Sequence, residues 1–352
     1  MTDFDFLHRN GRMLTFRYEL YSKEGAFKKT LTGVVSAVVT YNSLSALKRS
    51  AKITMEDDPA VDYVNDRIRV LCDVMACGET RTYPLGTFLI SAPARANEDG
   101  TATREMECYS KLQVLLDDKI ETRYVVRRGT NVVNEVIRLV SVSGEHHITP
   151  SALTLAADRE WEMGTDKLTI ANDLLAVINY TSLRVDAADA FEATPYILSA
   201  DRPVEFAYLE GKGSVLGRTI SDDLDFFNAP NVFVRYTDNP DADALRSVYV
   251  NDNPLSPTST VCHGRRITSC EKVDDVADQA TLDAITRRDA ISAAQIYSHV
   301  EFATAIMPLH GYMNTVRLHC GAIDGIYEET EWEITCDAGA EMTHKARKVV
   351  EV

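Results

Sequence analysis

Few side chains in this sequence are spaced for chemistry, and each candidate also has a plainer role. Two adjacent imidazoles, His146 and His147, stand in "SGEHHITP" behind a helix stop. A transition metal needs three or four ligands converging on one point, and no HExxH or HxH partner accompanies the pair, so a polar loop is expected. His310, in "MPLHGY" between two strands, reads as a buried, hydrogen-bonded turn histidine or as an interface residue. Carboxylates sit side by side at Asp57-Asp58, Asp117-Asp118, Asp222-Asp223 and Asp274-Asp275. Acid–base catalysis needs carboxyl groups that face one site, whereas neighbours on a strand point to opposite faces. These pairs read as solvated turns or helix caps.

The remaining motifs are weaker. Gly211, Gly213 and Gly217 in "EGKGSVLG" follow GxGxxxG rather than GxGxxG, with no βαβ unit around them, and predict a glycine-rich turn. Ser259 and Ser269 lack a GxSxG elbow. Cys262-His263 is the one adjacent Cys/His pair, and adjacency in a strand turns the two apart. Trp161 in "REWEMGTDK" reads as a core or joint aromatic, and Trp332 in "ETEWEI" as a strand residue alternating with acids. No catalytic, cofactor-binding or metal-ligating residue is assigned, and no cofactor is expected. A structural or interaction protein is the better expectation.

Composition narrows the class. A chain of 352 residues allows two or three domains with real cores. Its 45% hydrophobic and 26% charged residues are ordinary for a globular protein. A net charge of −16 argues against gripping a phosphate backbone or an anionic membrane, both of which ask for clustered Lys and Arg. The opening "MTDFDFLHRNGRM" has acids where a signal peptide wants basic residues, and no window approaches the ~18 uninterrupted apolar residues of a membrane helix. A soluble protein made in a cytosol, without a membrane segment, is expected. The seven cysteines, odd in number and without CxxC, read as small apolar core residues rather than as disulfide or zinc ligands.

The elements that must position these residues follow from periodicity. Over 14–109 apolar residues alternate, as in Leu14, Phe16, Tyr18 and Leu20, with turn chemistry between the runs. Strands are predicted at 14–21, 32–41, 51–56, 68–76, 87–92 and 103–109, the number and spacing of a small barrel or sandwich. The period then changes. Leu112, Leu115 and Leu116 predict a short helix, Val132 to Val140 a helix with Thr130 as N-cap, and Leu168 to Ile178 a helix begun by Thr165-Asp166. Strands return at 204–209, 231–236, 245–250 and 265–270. A helix over about 278–297, with Arg287-Arg288-Asp289 as a solvated break, precedes strands at 299–305, 315–320 and 330–335. The tail 342–350 is weakly patterned, as in a last edge strand. The expected fold is α+β, mainly β, with two β-barrel-like tube modules at 1–110 and 197–352 joined by a small α+β domain at 111–196.

Several stretches in order carry a resemblance. They are "AKITMEDDPAVDYVNDRIRV", "YPLGTFLISAPAR", "ECYSKLQVLLDDKI", "RYVVRRGTNVVNEVIRLV", "WEMGTDKLTIANDLLAVINYTSLRVD", "RSVYVNDNPLSPTSTVCHGRRI" and "AIMPLHGYMNTVRL". From about residue 30 onward the chain resembles the tail hub proteins, at the tail tip or baseplate, of tailed bacteriophages, related to the prophage tail endopeptidase-like tail proteins. The resemblance implies a non-enzymatic virion protein of the phage tail. It implies a homotrimer on the tail axis in which two tube modules per subunit place six around the bore, matching a six-fold tube above to a three-fold tip below. Its partners would be the distal tail or tube protein, the tape-measure protein, and tip, spike or fibre proteins, with DNA passing the lumen unbound. No catalytic role transfers to any residue here.

Charge suits that expectation, because carboxylates facing a polyanion repel it and release no counterions; a net acidic lumen is predicted. The alternatives are a tail-associated cell-wall hydrolase and a receptor- or carbohydrate-binding tail module. The first needs a metal triad, a Cys/His pair or spaced carboxylates in a groove, and the chain ends soon after the last tube-like module. The second needs clustered exposed aromatics, and only two Trp are present.

Overall fold

The computed structural model describes residues 3–8, 11–98, 101–186, 188–211, 221–224, 227–239, 243–273, 276–296 and 298–349. The fold is α+β and mainly β, with 45% strand and 18% helix. Its frame is one sheet of thirteen strands. Seven come from the first β region: β1 (Met13–Tyr21), β2 (Phe27–Leu31), β3 (Val34–Asn42), β4 (Arg49–Glu56), β5 (Arg67–Ala76), β6 (Glu79–Glu98) and β7 (Thr101–Ser110). Six come from the later part: β8 (Phe206–Leu209), β9 (Ser221–Leu224), β10 (Ser298–Ala305), β11 (Thr315–Cys320), β12 (Ile323–Thr335) and β13 (Glu341–Lys348). The order along the sheet is β9-β10-β13-β12-β3-β4-β7-β6-β5-β1-β2, with β11 between β8 and the start of β12.

The seam is β12. From Ile323 to Glu328 it pairs with β11, and from Glu331 to Thr335 it pairs with β3. β13 runs beside it through both halves. One apolar core therefore serves both regions, from Leu14, Ile53 and Phe88 to Phe206, Phe302 and Trp332. In place of two separate barrel-like modules, the strands of both regions share a single open sheet. No closed barrel forms among the described residues, because β12 joins the two regions edge to edge and leaves β2, β9 and β8 as ends.

Turn chemistry sets much of this register. Cys77 and Gly78 both take positive φ, 53° and 80°, and close the β5–β6 hairpin with Ala76 opposite Glu79. That is the two-residue turn whose twist suits an antiparallel pair. β6 is far longer than the 87–92 expected. Its first half pairs with β5 and its second with β7, so it bends across the sheet with a bulge between Ser91 and Ala94. β2 was not predicted; "FKKTL" is mostly polar because one of its long sides is an edge.

The middle unit has its own core, built from Leu112 and Leu115, from Val132, Val136 and Val140, and from Leu168, Leu174 and Leu175. Short strands flank the helices. The N-cap of the Val132–Val140 helix is Asn131, whose side chain accepts from the Asn134 N–H at 2.9 Å, rather than Thr130. Asp166 caps the Lys167–Val177 helix by accepting from the Thr169 N–H at 2.7 Å.

Residues 232–296 form a third unit. Val232–Tyr236 lies between Arg246–Val250 and Thr268–Lys272, and the Gln279–Ile296 helix packs on this sheet over Val276, Leu282 and Ile285. That helix is not broken at Arg287-Arg288-Asp289. Asp289 accepts from the Arg235 Nε at 2.8 Å and Arg288 donates to Asn179 Oδ1 at 3.0 Å, so these two charges are docked, while Arg287 is exposed. Nor is the tail an edge strand, because β13 is paired on both sides by β10 and β12. Among the described residues no helix is long and apolar enough to cross a membrane.

Candidate functional site

Most of the residues with chemistry to offer stay apart. His147, the exposed residue of a three-residue strand, meets Asp186 through Nδ1 at 2.8 Å, and His146 does not join it. Asp57 is held by Arg95 at 3.0 Å and Arg104 at 2.9 Å, and Asp58 by Lys29. These cations hold both carboxyls below the usual range. Gln113 bonds Asp117 and Lys167 bonds Asp118. Asp222 and Asp223 lie on β9. Asp274, Asp275, Gly213 and Gly217 are outside the described residues; Gly211 sits at a turn with φ of 76°.

Cys262, exposed, and His263, half-buried, stand on a single helical turn that Ser259 caps by accepting from the Cys262 N–H at 3.1 Å. Ser269 Oγ lies 3.2 Å from Arg235 and 3.0 Å from Glu271. Trp161 is a core aromatic of the middle unit, its indole N–H donating to Asp173 at 2.8 Å. All seven cysteines are free; Cys72 and Cys108 are buried, whereas Cys77, Cys262 and Cys270 are exposed.

One set of groups does converge. Among the described residues, His310, Glu329 and His344 bring ligand atoms within 4.8 Å of one another, all three buried. Glu329 Oε2 lies 2.6 Å from His310 Nδ1, and its Oε1 lies 2.5 Å from His344 Nδ1. The outer ring nitrogens are held as well: His310 Nε2 meets the Tyr208 hydroxyl at 2.9 Å, and His344 Nε2 meets Thr304 Oγ1 at 2.8 Å. Phe206 stacks on His310 with centroids 3.9 Å apart, and Phe302 stacks on His344 at 4.6 Å.

These residues come from β8, β10, β12, β13 and the connection between β10 and β11. The connection is pinned where Asn314 accepts from the Gly311 N–H at 2.5 Å and where Trp332 donates to the Gly311 carbonyl at 3.2 Å. Trp332 also stacks on Tyr41 of β3, at 5.5 Å and 12°, so the seam itself steadies the site.

Glu329 points inward for a local reason. Trp332 and Ile334 face the core, and strict alternation would send 329 outward with Glu331 and Glu333. A register shift between Glu329 and Glu331 inserts one residue and reverses the facing of everything before it. Tyr327 and Glu329 thus enter the core beside His344.

Burial sets the protonation states. It disfavours charge, so it pushes the Glu329 carboxyl up and the His310 and His344 imidazoles down. All three are thereby favoured in their neutral forms, and among the described residues no Lys or Arg hydrogen-bonds to them or pairs with them. Next to them, Glu328 is buried with Arg202, which bonds both Glu328 and the Met313 carbonyl. The carboxylic acid can donate to one ring Nδ1 while accepting from the other, which satisfies every polar atom of the triad.

Of these residues the sequence singled out only His310, as a buried turn histidine. His344 carried a readable signal, since it alternates in phase with Met342 and Ala346 on the buried face of β13. Glu329 carried none, because "YEETEWEI" looks solvent-facing until the bulge is known.

The fold built this way is that of phage and prophage tail proteins. The chain superposes on the tail protein from Neisseria meningitidis MC58 with a TM-score of 0.67, at 10% identity, covering 95% of this chain and 97% of that one. The 43 kDa tail protein of prophage MuSo2 from Shewanella oneidensis gives 0.65 at 11% identity, covering 94% and 98%. A prophage tail protein from Listeria monocytogenes EGD-e gives 0.61 at 10% identity, covering 94% of each chain. No family model and no curated protein matches the sequence.

Proposed function

We propose that this chain is a structural, non-enzymatic protein of a phage or prophage tail, and that it acts there as a trimeric hub at the distal end. The observation that carries the reading is the likeness of fold to prophage tail proteins over nearly the full length of both chains. In this reading three subunits, each offering two β regions, present six around the bore to the tail tube and three to the tip. DNA passes through without being bound.

Two features support it. The large sheet is open and its ends differ: β2 at one side and β9 at the other. Unlike edges are what a cyclic ring of heterologous contacts needs, since the β2 side of one subunit can meet the β9 side of the next until three copies close. Phe27 on β2, 55% exposed, is a contact such an interface would cover. The net charge of −16 favours a lumen that repels DNA. The partners in this reading are the chain itself, a distal tail or tube protein, a tape-measure protein, and tip, spike or fibre proteins.

The test is the symmetry of the particle around this chain by cryo-electron microscopy, with light scattering on the purified chain. Three copies around an acidic channel are expected. A channel lined by Arg and Lys, or β regions that do not both face a common bore, would refute the proposal.

A further inference from the structure

We infer that His310, Glu329 and His344 form a structural binding site for one divalent transition cation of the zinc type, buried in the second β region. The inference is independent of the tail reading. It rests on four features of the site.

The donor set is two imidazole nitrogens and a carboxylate, the borderline ligands that zinc and neighbouring first-row divalent ions select over calcium or magnesium. The donors face each other: each Nδ1 meets one Glu329 oxygen, and one ligand atom from each of the three residues lies within 4.8 Å of the others. Zinc bonds to N and O of about 2.0–2.2 Å set tetrahedral donors about 3.4 Å apart, so each Glu329 oxygen would move out from the Nδ1 it now touches to admit an ion. A carboxylate that uses both oxygens would complete four-coordination with no further ligand.

The outer contacts match a metal-bound tautomer. A histidine bound through Nδ1 carries its proton on Nε2 and needs an acceptor there. The Tyr208 hydroxyl is 2.9 Å from one Nε2 and Thr304 Oγ1 is 2.8 Å from the other. Thr304 has its own onward acceptor, the Ala305 carbonyl at 3.1 Å, which frees its lone pairs for His344. Finally, the rings are fixed by stacking on Phe206 and Phe302, so the donors are oriented in advance.

The proton balance is simple. The metal-free triad with a neutral carboxyl holds one proton on Glu329 and one on each imidazole. The loaded triad holds a carboxylate and two imidazoles protonated at Nε2. Loading therefore takes up one dication and releases one proton to solvent. Because the site has no exposure, loading accompanies folding rather than following it.

Glu329→Gln gives a clean test, since an amide can donate to one ring and accept from the other while binding a metal poorly. The untagged chain would be purified without chelator and its metal content measured. It would then be refolded from denaturant with either Zn2+ or a chelator. The wild type is expected to hold about one zinc per chain and to melt about 5 °C or more higher when refolded with zinc. Cobalt in its place should give the visible absorption of a tetrahedral site. Glu329→Gln should fold, hold no metal and show no shift. A wild type that holds no metal after zinc refolding and melts alike in both buffers overturns the inference, as does a Glu329→Gln chain that retains the same metal.

Discussion

The two β regions share one sheet and one core, yet they are filled on different terms. The first, residues 13–110, is packed by side chains such as Leu20, Val39, Ile53, Met55, Ile68 and Phe88, all fully buried and apolar. The second puts His310, Glu329, His344 and Thr304 into the same core beside Phe302 and Ile334. An apolar core tolerates shape changes at moderate cost, whereas a buried polar network is stable only while every member is paired. The two regions should therefore fail differently when perturbed, although the strand that joins them is common to both.

The largest effect should come at that join. Trp332 is 2% exposed, stacks on Tyr41 across the seam and holds the Gly311 carbonyl. Trp332→Ala should cost roughly 3–5 kcal/mol, the range for emptying a large aromatic site. Denaturant unfolding of the variant should lower both regions together, because β12 pairs with β3 as well as with β13. If hydrogen exchange showed only the second region loosened, the shared core would be two cores and the comparison would have to be redrawn.

Next comes the polar network itself. Glu329→Ala removes the partner of two buried imidazole nitrogens and leaves a cavity. A loss of about 3 kcal/mol is expected from unpaired buried donors and lost packing. Glu329→Gln, in chelator, should lose much less, since it keeps both hydrogen bonds. Equal losses in the two variants would mean that volume, not pairing, holds this part of the core, and the contrast with the first region would vanish.

The difference between the regions also decides what was legible. Alternation in the first region exposed nearly every strand, and the middle helices followed from their 3.6-residue spacing, because in both places an apolar residue means an inward one. In the second region Thr315–Cys320 could be placed to the residue. β12 could not: Ile323–Glu329 reads as polar and turn-like, and a one-residue bulge hides which glutamate turns inward. The candidate site depends on that bulge and on a loop pinned from two other elements. Only His310 showed in advance, since its neighbours Met307 and Leu309 are apolar. The Arg288 and Asp289 charges misled for a related reason. Their partners, Asn179 and Arg235, lie more than fifty residues away, and local patterning carries no trace of them.

A smaller effect, with a sign that can be checked, is the pH response in chelator. His310 and His344 are held below their ordinary range, so the unfolded chain takes up protons there first. Stability from these two is present above about pH 6.5 and is lost as pH falls below it. Glu329 is held above its ordinary range, so its contribution is complete below about pH 4.3 and is lost as pH rises toward its folded value. Summed, acid below about pH 6.5 weakens the triad because two imidazoles outweigh one carboxyl, and alkali above it weakens the triad through Glu329 alone. Denaturation of the wild type and Glu329→Gln from pH 5 to 8 checks this. The Gln variant, lacking the opposing carboxyl, should lose more on the acid side and show none of the alkaline-side loss.

The smallest effect lies in the middle unit, which behaves as an ordinary capped-helix core. Asn131→Ala removes one acceptor from the first turn of the Val132–Val140 helix and should cost about 1 kcal/mol, with no pH dependence between 5 and 8. The side chain also donates to the Ser151 carbonyl at 2.7 Å, which ties the cap to the next loop. A double variant with Glu329→Ala should be additive within about 0.5 kcal/mol, since the cap and the triad belong to different cores. Clear non-additivity would mean that the α+β unit and the sheet unfold as one body, and that the local contrast drawn here is averaged out by the seam.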